Sequence, residues 1–307
     1  MNLSIVSTLY QSAVHLEEFH KRVRAAAEDI TSNFEIILVN DGSPDDSLDT
    51  ALSLCRKDRR VRVIDLSRNF GQHKAIMTGL AHARGELVFL LDDDLEEAPE
   101  LLKTFYESLQ SNEADVIFGV QRQRRGGLFE RVSGFAFFAL FNSLSTHPIP
   151  KNIVTARLMT RRYVSALLQY QEREMLIAGL WTLTGFKQLP VVVNKAHRNN
   201  SSYRISQKFG HFVNAITSYS SRPLVLIFYL GCLILLGSTI AAIDLIVRKL
   251  FFGSLLQGWS SLIVSIWLLG GLNIFCLGVI GIYLSKIFIE VKQRPYTIIR
   301  QVYEHEN

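Results

Sequence analysis

Three consecutive aspartates, Asp92, Asp93 and Asp94, are the densest cluster of reactive groups in the chain. They follow an uninterrupted apolar run, Leu87 to Leu91, with the length and composition of a strand buried on both faces. Carboxylates at the C-terminal end of such a strand lie where open α/β sheets bind their ligands. In an extended backbone, Asp92 and Asp94 point one way and Asp93 the other. A pair of that kind suits a hard divalent cation that keeps open positions for substrate phosphates. On these residues alone a plainer reading stays open. It is an acidic strand-to-helix turn, with Glu96 and Glu97 in the first turn of the next helix and Pro99 beside them.

The elements that must position these groups are legible from the start of the chain. Leu3 to Ser7 is a short β-prone run, and His15 to Ile30 repeats Leu16, Phe19, Val23 and Ala27 at helical spacing. Phe34 to Val39 is a second buried strand, ending in Asn40, Asp41 and Gly42. The next helix is expected to start with Ser43 as its cap and Pro44 at its first position. Val61 to Leu66 is a third strand, Ala75 to Ala83 lies in a helix, and Leu87 to Leu91 is the fourth strand. A helix near Pro99 to Leu109 and a strand at Val116 to Phe118 follow. This alternation predicts a doubly wound, mainly parallel α/β sheet. Neither GxGxxG nor GxxxxGK[ST] follows any strand, so a dinucleotide fold and a P-loop are both unsupported. Parallel strands instead bring Asp41 and the aspartate triplet to one edge. There, one carboxylate can meet a base or ribose while the others hold a metal on a pyrophosphate.

Beyond the sheet, Arg122, Arg124, Arg125 and Arg131 surround Gly126 and Gly127. Four arginines in so short a stretch usually mean a solvated basic loop. Their functional reading is phosphate capture by planar, bidentate donors. Phe135 to Leu144 is rich in phenylalanine and reads either as core or as a helix in a membrane interface. Arg198 to Tyr203 is a polar loop that could meet an anion, and Phe209 to Tyr219 reads as an amphipathic helix.

The formal charge is +5 and the hydrophobic fraction is 48% over 307 residues, but the apolar excess falls after Arg222. Leu224 to Ile243 is twenty residues without a charge, and Leu250 to Ser285 is thirty-six. A spanning helix needs about 20 apolar residues, so two transmembrane helices are expected. The first residues lack a basic region and a cleavage site, so no signal peptide is expected. Cys55, Cys232 and Cys276 have no metal spacing, and the polar part reads as cytosolic.

Taken together, these residues resemble the family 2 glycosyltransferases of GT-A fold that act on polyprenyl phosphates, the dolichyl-phosphate mannose synthase and undecaprenyl-phosphate glycosyltransferase type. The resemblance runs along the whole chain. It rests on VNDGSPDDS (39–47), SRNFGQHKAIMTGLAHARGE (67–86), LLDDDLEEAPE (90–100), GVQRQR (119–124), RLMTRR (157–162), SSY (201–203) and EVKQRPY (290–296). It implies a catalytic domain over 1–205, a juxtamembrane helix over 206–222, two membrane helices over 223–289 and a cytoplasmic tail over 290–307. Asp41, Asp92 and Asp93 would bind the nucleotide, and Asp92, Asp94 and Glu96 would hold Mg²⁺ or Mn²⁺. Asp94, Arg122 and Arg131 would carry the catalytic work. Arg125, Arg198, Ser201, Ser202 and Tyr203 would meet the acceptor phosphate. Three departures stand out: Tyr10-Gln11-Ser12 replaces Tyr-Asn-Glu, Asn152 and Thr155 replace acidic residues, and Ser202 replaces lysine.

The implied activity is inverting transfer of a sugar from a nucleotide-diphosphate sugar, UDP foremost, to undecaprenyl or another polyprenyl phosphate. The lipid-linked product would serve modification of cell-envelope glycans. The enzyme would sit in the bacterial plasma membrane with both termini cytoplasmic. A homo-oligomer is compatible with the sequence, and nucleic acid is not an expected partner. Two alternatives remain open, a transferase acting on a hydroxyl acceptor and a membrane scaffold with a degenerate transferase domain.

Overall fold

The computed structural model describes residues 2–121, 152–173, 175, 177–194, 222–252 and 258–305. The expected basic loop beyond Gln121, the aromatic run 135–144, the loop 198–203 and the helix 209–219 lie outside those residues.

The alternating apolar runs fold as read. Strands β1 (Leu3–Leu9), β2 (Phe34–Asn40), β3 (Val61–Leu66) and β4 (Leu87–Leu90) alternate with helices α1 (Leu16–Glu28), α2 (Ser47–Lys57) and α3 (Gln72–His82). After α4 (Leu101–Asn112) come β5 (Val116–Gln121), β6 (Ile153–Thr160), α5 (Arg161–Leu167), α6 (Ile177–Leu183) and β7 (Gln188–Val193). Two long helices, α7 (Arg222–Phe252) and α8 (Trp259–Val291), precede a last strand, β8 (Ile299–Tyr303).

The eight strands form one mixed sheet in the order β7-β5-β6-β4-β1-β2-β3-β8. Its centre, from β3 to β4, is parallel, whereas β6 and β8 run antiparallel to their neighbours. Successive side chains leave a strand on opposite faces. Ile5 and Ile36 therefore pack with Phe19, Leu54 and Phe105 on one side, while Val6 and Ile37 pack with Ile76, Leu80 and Val164 on the other. Both faces are covered by helices, which is why the central strands read as continuous apolar runs.

Two features of this sheet differ from the expected order. Strand β6 inserts between β4 and β5, so β5 does not continue the parallel array. Ile299–Tyr303, within the segment expected as a tail beyond the hairpin, returns to the sheet as β8 along the open edge of β3. An edge strand leaves a row of unpaired N–H and C=O groups, and β8 covers them. Arg300 of β8 donates to the buried Asp65 at 3.0 Å, and Asp65 accepts in turn from Asn40 at 2.8 Å. The C-terminal segment is thus tied to the end of β2, next to Asp41. Arg173 N–H donates to Glu290 at 2.6 Å, which joins the end of α8 to the same domain.

At the other, N-terminal end of β2, Glu35 is buried and fully partnered. It accepts from the Ser4 hydroxyl at 2.6 Å, from Arg84 N–H at 2.7 Å and from Arg62 at 2.8 Å. Removing the cation from a buried pair leaves an uncompensated charge. Arg62→Met is expected to cost about 3 kcal/mol, the low end for such a change, because Glu35 keeps two other donors. A fall in the melting temperature of the full chain in detergent checks this.

Among the described residues one stretch, Ser265–Val291, is long and apolar enough to cross a bilayer, with a mean hydropathy of 2.0. Its Trp267, Ile274 and Leu277 side chains are exposed. The other expected span falls in α7, whose apolar stretch among the described residues is Leu224–Ile234.

Candidate active site

The C-terminal ends of β1, β2 and β4 meet at one edge, as their parallel pairing requires. Leu9 stands opposite Asn40, and Asp41 N–H donates to the Leu9 carbonyl at 3.1 Å. The buried Asp41 carboxylate accepts from Phe70 N–H at 2.7 Å and Gly71 N–H at 3.0 Å. Burial raises its pKa, and those two hydrogen bonds work against the rise. Asp41 therefore pins the loop at 67–71 onto the strand end. Gly42, the next residue, has φ +60°, and a Cβ there would lie 2.4 Å from backbone atoms of Arg68 and Asn69. Glycine is the residue that fits such a position.

The start of α2 corrects the sequence expectation. Ser43 does not cap it and Pro44 is not its first residue, because the helix begins at Ser47. Short polar side chains here bind nearby backbone instead of extending the helix. Ser43 Oγ accepts from Gln11 N–H at 2.7 Å, Ser47 Oγ from Ser12 N–H at 2.8 Å, and Asp45 from Ala13 N–H at 3.2 Å. Three successive donors after β1 are thus held by the loop after β2 and the first residue of α2. Burial opposes the Asp45 charge, but hydrogen bonds from Ser43, Ser47 and Ala13 outweigh it and hold that carboxyl at about 2.

The aspartate triplet is also arranged differently from the extended expectation. Strand β4 ends at Leu90 and the aspartates form a turn, with Leu95 at φ +61°. Asp92 accepts from Gln72 Nε2 at 2.9 Å, and Asp94 accepts the N–H of Glu96 at 2.9 Å. For Asp93, burial first, and then the charges of Asp92 and Asp94, push the pKa up to about 7 against a hydrogen bond from Ser12. Glu97 is not in a helical first turn, since α4 begins at Leu101. It is buried, and it accepts from the N–H groups of Thr155 at 3.2 Å and Ala156 at 2.7 Å. A carboxylate can be buried when such donors satisfy it, and here it braces the turn against β6.

Among the described residues no three His, Cys, Asp or Glu side chains converge around a point that could hold a cation. Asp92, Asp94 and Glu96 therefore do not enclose a metal by themselves. Asp92 and Asp94 are hard oxygen donors that remain partly exposed at the strand end. That arrangement fits an ion of the Mg²⁺ type, which takes one or two carboxylates and draws its other ligands from phosphates and water.

Beside the triplet lies a cavity of about 300 Å³ between the start of α3, the start of β6 and α6. Gln72, His73, Asn152, Thr155 and Trp181 are among its walls. Behind Trp181 the fully buried Arg157 stacks its guanidinium 2.9 Å from the indole ring centre, and burial pulls its pKa down to about 9.

The structure thus brings Asp41, Asp92, Asp93, Asp94 and Glu96 to one edge. Arg122, Arg125, Arg131, Arg198, Ser201, Ser202 and Tyr203 lie outside the described residues. Gln72 and His73 join the site without having been singled out, and Ser12, noted in the sequence only as a departure from the family pattern, joins it through its hydrogen bond to Asp93. For Gln72 and His73 the available signal was their place just after a glycine at a helix start.

The family model described as "Glycosyl transferase family 2" matches residues 4–168. A Mycobacterium tuberculosis protein assigned to the glycosyltransferases is 54% identical over 99% of this chain and 89% of its own length. The SfII prophage-derived bactoprenol glucosyl transferase of Shigella flexneri is 31% identical over 98% of each chain. Among solved structures, glucosyl-3-phosphoglycerate synthase from Mycobacterium tuberculosis, in complex with Mn²⁺ and UDP-glucose, is 18% identical. It aligns over 69% of this chain and 74% of its own with a TM-score of 0.46.

Proposed function

The chain belongs to glycosyl transferase family 2, and on that premise we propose that it is a membrane-anchored, inverting transferase of GT-A fold. It moves a sugar from a nucleoside diphosphate, UDP foremost, onto a phosphate oxygen of undecaprenyl or another polyprenyl phosphate. The observation that carries this reading is the pairing, in one chain, of a carboxylate edge with a long exposed apolar helix. The bactoprenol glucosyl transferase matches across both parts.

In this reading Asp41 and the loop it pins form the floor of the nucleotide site, with Asp93 beneath the diphosphate. Asp92 and Asp94 would hold Mg²⁺ or Mn²⁺, with Glu96 alongside. The chemistry such an ion would supply, once bound, is neutralisation of charge on the departing diphosphate. Arg122, Arg125 and Arg131, with Arg198, Ser201, Ser202 and Tyr203, gather the acceptor phosphate. The acceptor oxygen attacks the anomeric carbon from the face opposite the leaving nucleotide. A phosphate monoester, with a second pKa of about 6, is largely dianionic at neutral pH. It needs no general base, which agrees with the one carboxylate of the described cavity wall, Glu97, being engaged by the N–H groups of Thr155 and Ala156.

An acceptor panel tests the reading. The protein in liposomes receives UDP-[14C]glucose, UDP-[14C]galactose or UDP-[14C]N-acetylglucosamine with undecaprenyl phosphate, undecaprenol or undecaprenyl diphosphate. Label is expected to enter the lipid phase from one nucleotide sugar and with the monophosphate alone. Labelling of the alcohol instead would replace this reading with the hydroxyl-acceptor one.

The second membrane crossing and the orientation belong to the same proposal. Arg248 and Lys249 lie near the C-terminal end of α7. Arg204, Lys208 and Arg222 precede the first crossing, and Lys286, Lys292, Arg294 and Arg300 lie at the end of the second or beyond it. The larger basic group marks the cytoplasmic side, where nucleotide sugars are made. Cysteines engineered at Gly253 and Glu306 are labelled with a membrane-impermeant thiol reagent on intact cells. Reaction at Gly253 but not at Glu306 is expected, and the reverse would overturn the orientation.

A further inference from the structure

The cavity beside the aspartates is walled by amide, hydroxyl and imidazole groups from Gln72, Gln121, Asn152, Thr155 and His73, opposite the indole of Trp181. The Glu97 carboxylate also lines it, and accepts from the backbone N–H groups of Thr155 and Ala156. No lysine or arginine lines it among the described residues. A few convergent polar groups set against apolar surface fix the orientation of a small ligand. Here those groups suit an uncharged, hydroxylated ring better than an anion.

His73 differs from its neighbours in this wall. Amides and hydroxyls offer both donors and acceptors, whereas the polarity of His73 is set by the fold. Its Nδ1 lies 3.2 Å from the carbonyl oxygen of Met175. A carbonyl can only accept, so Nδ1 carries the hydrogen and Nε2 of the neutral ring keeps its lone pair. Nε2 has no hydrogen-bond partner among the described residues. Burial lowers the pKa of the imidazole, so the ring is neutral at pH 7.

Resting on the sugar-transfer reading, we propose that His73 is a specificity residue of the sugar pocket. Its Nε2 accepts a hydrogen bond from one hydroxyl of the transferred sugar, in the tautomer set by the Met175 carbonyl. A site that offers a fixed acceptor discriminates against a ring lacking the matching hydroxyl. The residue also ties sugar selection to the segment just before α6, because that segment supplies the carbonyl.

The test uses the full chain in detergent, with UDP and the three UDP-sugars above as probes. His73→Phe removes the acceptor. His73→Gln returns one, since its side-chain oxygen reaches about where Nε2 stands. Calorimetry should give all three proteins the same Kd for UDP within about two-fold, which shows that the fold and the nucleotide site persist. For the sugar that wild type transfers, His73→Phe is expected to lose about ten-fold in kcat/KM, and His73→Gln to recover most of it. Monodeoxy analogues of that UDP-sugar locate the hydroxyl. One analogue should cost wild type about ten-fold and cost His73→Phe nothing further. Equal kcat/KM in wild type and His73→Phe, or identical analogue profiles in the two, overturns the proposal and leaves the transferase reading intact. A wild-type protein that transfers none of the sugars overturns both.

Discussion

Asp94→Asn is expected to lower the turnover number for sugar transfer about a thousand-fold, on the order of 4 kcal/mol of transition-state stabilisation. The fold should survive, because the structural work of Asp94 is to accept the N–H of Glu96 at 2.9 Å, and an asparagine oxygen still does that. What the substitution removes is negative charge at the end of β4. Excess chelator should silence the wild type to a similar degree, and Mg²⁺ or Mn²⁺ should restore it. The same ions should not restore Asp94→Asn. The checks are initial rates with and without chelator, and melting temperature as the control for folding. A fully active variant, or a wild type indifferent to chelation, would remove the metal from the mechanism.

Gly42→Ala should be nearly as damaging, by a different route. The added methyl carbon would lie 2.4 Å from the backbone of Arg68 and Asn69, and φ is +60°. Backbone cannot yield as a flexible side chain can, so the loop at 67–71 must move. That movement breaks the bonds from Phe70 and Gly71 to Asp41 and leaves a buried carboxylate short of donors. Strain of about 1–3 kcal/mol together with the lost bonds should weaken UDP binding about a hundred-fold, read by calorimetry on the purified protein. An unchanged Kd would mean that the loop does not shape the nucleotide site.

How far the sequence carries the fold depends on whether a feature is local. Val61 to Leu66 was bounded correctly because a doubly buried strand is an unbroken apolar run between polar ends. Strand β6 was missed because its place between β4 and β5 is a long-range pairing, which no local pattern announces. Strand β8 reads as Ile-Arg-Gln-Val-Tyr just after a membrane helix, too polar and too short to suggest a sheet edge. The site divides along the same line. Asp41 and the triplet stand out because charge at the end of an apolar run is conspicuous. Glu97 looked like a helix-start acid, since a sequence shows its charge and not the two N–H groups that satisfy it. His73 was equally silent: its tautomer depends on a carbonyl more than a hundred residues away.

The claim that the nucleophile is a phosphate oxygen is open to one direct measurement. The purified protein is incubated with the UDP-sugar it uses and with undecaprenyl phosphate, and the reaction is followed by 31P nuclear magnetic resonance. The predicted result is conversion of the lipid monoester signal into a phosphodiester signal, with one equivalent of UDP released. Release of UDP with the monoester signal unchanged would contradict it, placing the sugar on another acceptor or on water.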